Sequence, residues 1–246
     1  MPSPVKSILR PPAVVPVRIE LPALLRGDVV ALEGWLEQRS TPRLVGCVVA
    51  ILLGAGAYGA AIGCWRSSTQ AAYTAAKLPL ILLVTTLGNA LLNGLLAPLL
   101  GLNLTLRQTT LAILFSFTSL GMILAAFSPL VFFAVWNLPP MSAEAARGTA
   151  YALIQLSQVA VIAFAGLVAN VRLLQLLRRL SGSQAVATRV LLAWLAGNLL
   201  LGTQLTWMLR PFFGSPSLPV EFLRHDALRG NFFEAVAYSL RFLFHD

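Results

Sequence analysis

Charge is scarce in this chain. Asp, Glu, Lys and Arg make up only 11% of its 246 residues, against roughly 25% in a soluble domain, and 57% of the residues are apolar. That balance excludes an ordinary water-soluble globule. It predicts an integral membrane protein, in which about 20 consecutive apolar residues cross about 30 Å of hydrocarbon as one helix. Histidine and cysteine are nearly missing too, at two each. His225 and His245 lie twenty residues apart in the tail, and the chain holds no HExxH, no CxxC and no Gly-rich phosphate loop. A metal centre needs three or four N, S or carboxylate ligands, and no cluster supplies them, so neither metal nor cofactor is expected and the chain reads as non-enzymatic. The nearest approach to a reactive group is His225 beside Asp226, with Glu221 four residues earlier, a set that more often solvates a surface turn. Cys47 and Cys64 stand 17 residues apart, about 25 Å along one helix, too far to bridge.

Five long apolar stretches are present, at about 44–64, 78–101, 109–136, 148–171 and 190–209. Within those limits none contains Asp, Glu, Lys, Arg or His, which argues against a proton relay, an ion pathway or a voltage sensor. The fold class is therefore all-α: a polytopic bundle of five spans over residues 43–210, preceded by a Pro-rich cytosolic segment (1–42) and followed by an extramembrane strap and helix (211–246). Six prolines precede residue 23 and favour an extended lead-in rather than a signal peptide. Residues 28–38 place Val29, Leu32, Trp35 and Leu36 near one face, a pattern for a helix lying at the interface or packed on the protein itself. Lys77 is read as a loop residue before the second span, and Pro79 as a first-turn residue of that span. Pro98 should kink or end the far side of the second span, and Pro129 should break the third. Arg172, Arg178 and Arg179 belong to a basic extension of the fourth span, read as leaving the membrane to lie along its surface.

What the spans do carry is small residues and amides. Ala55, Gly59 and Gly63 fall four apart in the first span, a ladder that lets helix backbones approach closely, either within the chain or across a homodimer. Asn89 and Asn93 share a face of the second span, Gln155 and Gln158 are three apart in the fourth, and Asn198 and Gln204 lie in the fifth. A carboxamide facing hydrocarbon is costly, and pairing across helices relieves it. These six residues read as a polar seam joining spans two, four and five, or as the lining of a small polar path.

Arginine sets the orientation. Arg26, Arg39, Arg43, Arg107, Arg172, Arg178, Arg179 and Arg189 flank the N-terminal side, against Arg66, Lys77, Arg147, Arg210 and Arg224 on the other. This bias places the N-terminus in the cytoplasm and the C-terminus outside. The excess of Lys and Arg over acids, 18 to 9, serves lipid contact and orientation rather than nucleic acid. In the tail, RPFFGSPSLPVEF reads as an irregular strap whose Phe212 and Phe213 sit at headgroup depth or between helices. Asn231 and Glu234 form a capping-box start to a short amphipathic helix carrying Phe232 and Phe233. The tail either covers the mouth of the bundle or presents a docking face to another protein.

The five-span layout with a Pro-rich N-terminus and short external C-terminus resembles the Yip1 domain architecture, and AAKLPLILLVTTLGNALLNGLLAPLLG, a Lys-Pro start to a Gly-containing span, is similar to what its bacterial members show. MLRPFFGSPSLPVEF followed by GNFFEAVAYSLRFLF resembles the ending of uncharacterised bacterial multi-pass proteins. Together they imply a bacterial cytoplasmic (inner) membrane protein but bring no catalytic or binding residue with them. The sequence thus predicts a scaffold or assembly subunit whose partners are membrane lipids and other membrane proteins or a second copy. The alternative is a passive carrier, scramblase or channel for lipid or neutral solute.

Overall fold

The computed structural model describes residues 23, 26–38, 40–139, 141, 149–214 and 219–234. The Pro-rich lead-in to residue 22, Arg39, Arg147, His245 and all but the first turn of the C-terminal helix lie outside them. Among the described residues six helices of nine residues or more follow in order: α1 (Val29–Glu37), α2 (Thr41–Gly63), α3 (Ser68–Leu99), α4 (Leu106–Trp136), α5 (Thr149–Ser181) and α6 (Gln184–Met208). No strand occurs among the described residues. The chain is an all-α polytopic bundle, and α2 to α6 are each long and apolar enough to cross a membrane.

Local chemistry sets the helix ends. Ser67 Oγ accepts from Gln70 N at 3.1 Å to start α3, and Thr105 with Gln108 forms a reciprocal capping box at the start of α4. Gly101 (φ +93°) and Gly182 (φ +62°) turn the chain after α3 and α5, in a left-handed conformation that a side chain disfavours. As expected, α3 ends one residue after Pro98.

Packing is set by small residues. α2 lies in the groove between α3 and α4, and its glycines fit against backbone. A Cβ on Gly59 would overlap the Thr74 carbonyl, one on Gly63 would come within 2.6 Å of Ala71 Cα, and one on Gly54 would overlap the Gly121 carbonyl. Ala55 is fully buried. The Ala55, Gly59, Gly63 ladder is therefore an intrachain seam between α2 and α3. Beside it, α3, α4, α5 and α6 form a ring: α3 packs on α4, α4 on α5, α5 on α6 and α6 on α3, while the backbones of the diagonal pairs stay apart.

Helix α1 docks on the N-terminal side of this ring, against α4 and α5. Leu32, Trp35 and Leu36 are buried, and Trp35 meets the Phe115 ring edge-on at 5.8 Å. Arg107 caps the end of α1 by donating to the carbonyls of Leu36 (2.6 Å), Glu37 (3.2 Å) and Gln38 (3.1 Å), three of the orphan acceptors at a helix C-terminus. Glu33 pairs with Arg179 of α5. Of the two readings of residues 28–38, the packed helix is the one observed.

Three expectations about breaks are corrected. α4 runs through Pro129 to Trp136, because Ser128 Oγ donates at 2.8 Å to Ala125 O, the carbonyl that the missing Pro129 N–H leaves free. α5 continues unbroken to Ser181 instead of turning along the surface, since Leu173, Leu176 and Leu177 are buried in the core that also holds Leu32 and Leu36 of α1. α3 starts at Ser68 rather than at residue 78, so Pro79 sits inside the helix.

Candidate functional site

The ring encloses space. Between α3, α4, α5 and α6 lies a half-open cavity of about 330 Å³, within the size range of small-ligand sites. It follows α6 from Leu195 to Thr206, about 16 Å of helix and so roughly half of a hydrocarbon slab about 30 Å thick. Ile81, Leu82, Phe117, Leu120 and Ile162 make its wall largely apolar, while Thr85, Ser116, Asn170, Asn198, Thr203 and Thr206 add uncharged polar groups. No ionisable side chain lines it. Phe232, from the tail, also lines it.

Amides form one end. Asn89 Nδ2 donates to Asn198 Oδ1 at 2.7 Å and to the Trp194 carbonyl at 3.3 Å, and Asn93 Nδ2 donates to the Asn89 carbonyl at 2.9 Å and to Asn89 Oδ1. Gly197 permits this fit, because a Cβ there would overlap Asn89 Oδ1. Asn89 and Asn93 are buried, so the cluster is a tight plug between α3 and α6 with only Asn198 reaching the cavity. Replacing Asn89 alone by Leu leaves Asn198 unpaired and is expected to cost about 1–2 kcal/mol. Asn198→Leu should cost a similar amount, and the double variant little more than either single one. Unfolding titrations in mixed micelles measure this cycle, and purely additive losses would remove the interaction.

The other predicted amides do not join that plug. Gln158 accepts from Tyr58 Oη of α2, both residues being buried. Gln155 faces outward, and Gln204 is half-buried away from the cluster. The expected seam of spans two, four and five is thus replaced by two separate links, α3 to α6 and α5 to α2. The physical reason is rotation: α5 turns Gln158 towards α2 and its small residues Gly166 and Ala169 towards the cavity.

Sequence reasoning passed over Thr85. Threonines in these helices mostly satisfy themselves: Thr86, Thr118, Thr203 and Thr206 each donate to the carbonyl four residues back. Thr85 is 2% exposed and its hydroxyl has no partner, although it lines the cavity. Gly202 faces it from α6, where a Cβ would stand 3.9 Å from Thr85 Oγ1. An isolated Thr in an apolar run carries no signal of this kind.

Lys77 is the larger correction. It is not in a loop but inside α3, and it is 0% exposed. Gln70, Thr74 and Lys77 follow one helical face and hold the strap. Gln70 Nε2 donates to the carbonyls of Pro211 (3.1 Å) and Phe212 (3.0 Å), and Thr74 Oγ1 to Phe212 O at 2.9 Å. Lys77 Nζ donates to Pro211 O at 3.1 Å and Glu221 O at 3.5 Å. The ammonium lies 5.9 Å and 5.3 Å from the centroids of the Phe212 and Phe222 rings, a distance at which the ring face attracts a cation. Phe213 packs into the cluster around Tyr58 and Trp65. Phe232 and Phe233 meet edge-on, and Glu234 N donates to Asn231 Oδ1 at 2.9 Å, starting the terminal helix. The described part of the strap is therefore held on α3 through the carbonyls of Pro211, Phe212 and Glu221.

His225 and Asp226 lie away from the cavity. They line a separate open pocket of about 460 Å³ with Pro219, Glu221, Arg224 and Arg229, and Asp226 pairs with Arg210 at 3.4 Å. Among the described residues no three His, Cys, Asp or Glu side chains group as a metal site would need. Comparison with protein families, curated proteins and solved structures finds no match for this chain.

Proposed function

We propose that this protein is a passive, non-enzymatic carrier that holds the apolar part of a lipid or of another amphiphile in the cavity between α3, α4, α5 and α6. The observation that carries this reading is the Thr85 hydroxyl, buried without a partner in the wall of an otherwise apolar cavity. Such a group costs roughly 1–3 kcal/mol until it meets a donor or acceptor, and a ligand with an apolar body and a hydroxyl, ester or amide group supplies one. The lack of lining charge favours an uncharged group, such as an acyl chain, inside the cavity itself. The asparagine plug argues against a continuous channel, so loading and release take place from the tail side.

Gly202→Leu would place a side chain beside Thr85 and fill this space. Labelling in nanodiscs with a phospholipid carrying a photoreactive acyl chain should mark peptides of α3 and α6 in the wild type. The variant should lose that labelling about tenfold or more while keeping its helical content and unfolding temperature. Equal labelling of both proteins, or none of the wild type, would sink the reading.

Scaffold function is the second reading, supported by α5 and α6, which bury less of themselves than α2 does, and by the outward-facing amide of Gln155 on α5. A partner helix or a second copy there would satisfy that amide. The bacterial cytoplasmic membrane, with the N-terminus inside, belongs to the same proposal and rests on the arginine asymmetry and the Yip1-like likeness.

A further inference from the structure

The open pocket beside the strap has positive charge without partners. Arg210 engages Asp226 at 3.4 Å and stacks at 3.7 Å on Trp207, which removes one carboxylate from the local balance. Arg224 and Arg229 remain; their backbones bond Ala227, Asp226 and Trp207, but neither guanidinium makes a hydrogen bond or ion pair with a described residue. Behind them Lys77 donates to the Glu221 carbonyl, and its ammonium repels the Arg224 guanidinium. Glu221 is the only other acid in the pocket wall, and it pairs with none of these cations. Arg210, Arg224, Arg229 and Lys77 thus outnumber the two acids Glu221 and Asp226 here, and an added anion would lower the repulsion among them.

Surrounding residues indicate where that anion comes from. Leu223 and Leu228, each next to one of the two arginines, are 53% and 78% exposed. Apolar side chains standing out beside arginines in the turns that follow the last spanning helix fit the boundary between acyl chains and headgroups. Arg229 is also three residues from Phe232, which lines the cavity, so the Cα atoms of these two residues lie within about 10 Å of each other.

We propose that Arg224 and Arg229 bind the phosphate of a phospholipid headgroup whose acyl chain occupies the intramembrane cavity. This rests on the carrier reading and names its ligand: a phosphodiester lipid, gripped by the planar guanidinium forks that suit phosphate oxygens.

The test compares phosphatidylglycerol with diacylglycerol of the same chains, and with glycerol phosphate, on the full-length protein in detergent by native mass spectrometry. Wild type should bind phosphatidylglycerol about 10- to 100-fold more tightly than diacylglycerol. Arg224→Gln/Arg229→Gln should bring the two lipids to equal affinity, and raised salt should narrow the wild-type difference. Equal affinities in the wild type, or a preference that survives the double substitution, would overturn the headgroup site while leaving the cavity reading standing. Failure of both lipids to bind would overturn both. Glycerol phosphate binding as tightly as the lipid would overturn a lipid source and leave a site for a soluble phosphate.

Discussion

Gly59→Leu should strongly destabilise the folded bundle. The Cα of Gly59 lies so close to α3 that even a methyl group would overlap the Thr74 carbonyl, and the obstacle is backbone rather than a movable side chain. The same α3 turn presents Thr74 Oγ1 to the strap, so pushing α3 away also unseats residues 211–213. Overpacking a well-packed core costs typically about 1–3 kcal/mol and more where backbone must move, and this site belongs at the upper end. Gly34→Ala is the matched control: nothing lies within 4 Å of its added methyl, and the helix should gain up to about 1 kcal/mol. The measurement is the unfolding midpoint in mixed micelles, with the yield of monodisperse protein beside it. A Gly59→Leu protein as stable as the Gly34→Ala control would show that α2 and α3 do not pack as described.

Lys77→Glu should free the strap. Its carboxylate would face the carbonyls of Pro211 and Glu221 and the faces of two phenyl rings, all sites of negative potential, where the ammonium is held now. A buried charge stripped of its partners costs about 3–5 kcal/mol, enough to exceed what the remaining bonds from Gln70 and Thr74 contribute at about 1 kcal/mol each. Lys77→Met is milder. It loses the same bonds but also relieves the desolvation of an ammonium, and a net loss of about 1–2 kcal/mol is expected. Amide exchange across residues 211–214 and 219–230 should rise sharply in Lys77→Glu, modestly in Lys77→Met, and stay unchanged across α4. Protection equal to wild type in Lys77→Glu would mean that the strap is held by other contacts.

Much of the architecture was legible because the bilayer imposes it. Runs of about 20 apolar residues have one stable form in hydrocarbon, the helix, which satisfies every backbone group internally, so five apolar stretches meant five spans. Helix starts were readable where the signal is local, as at Asn231 with Glu234. Errors fell where a side-chain contact intervened that the apolar pattern does not show. Pro129 reads as a breaker until Ser128 is seen to take up the carbonyl it frees. Lys77 reads as a loop cation because its acceptors, at Pro211 and Glu221, lie 134 and 144 residues further along the chain.

The amides divide along the same line. Their presence among apolar residues announced that they must be paired, but pairing depends on how each helix is turned about its axis. Hydrophobic pattern barely specifies that angle when lipid and protein interior are equally apolar. Thus Asn89 and Asn198 met, while Gln158 went to Tyr58 and Gln155 faced outward.

By itself the sequence determined solvent, helical class, span number and the need for the glycines and amides to be covered, since these follow from the cost of putting polar groups into hydrocarbon. Only the tertiary structure decided which side chains cover which, leaving Thr85 without a partner beside a cavity and Lys77 beneath the strap. Those outcomes depend on helix rotation and on contacts between residues far apart in the chain, which composition and periodicity do not encode.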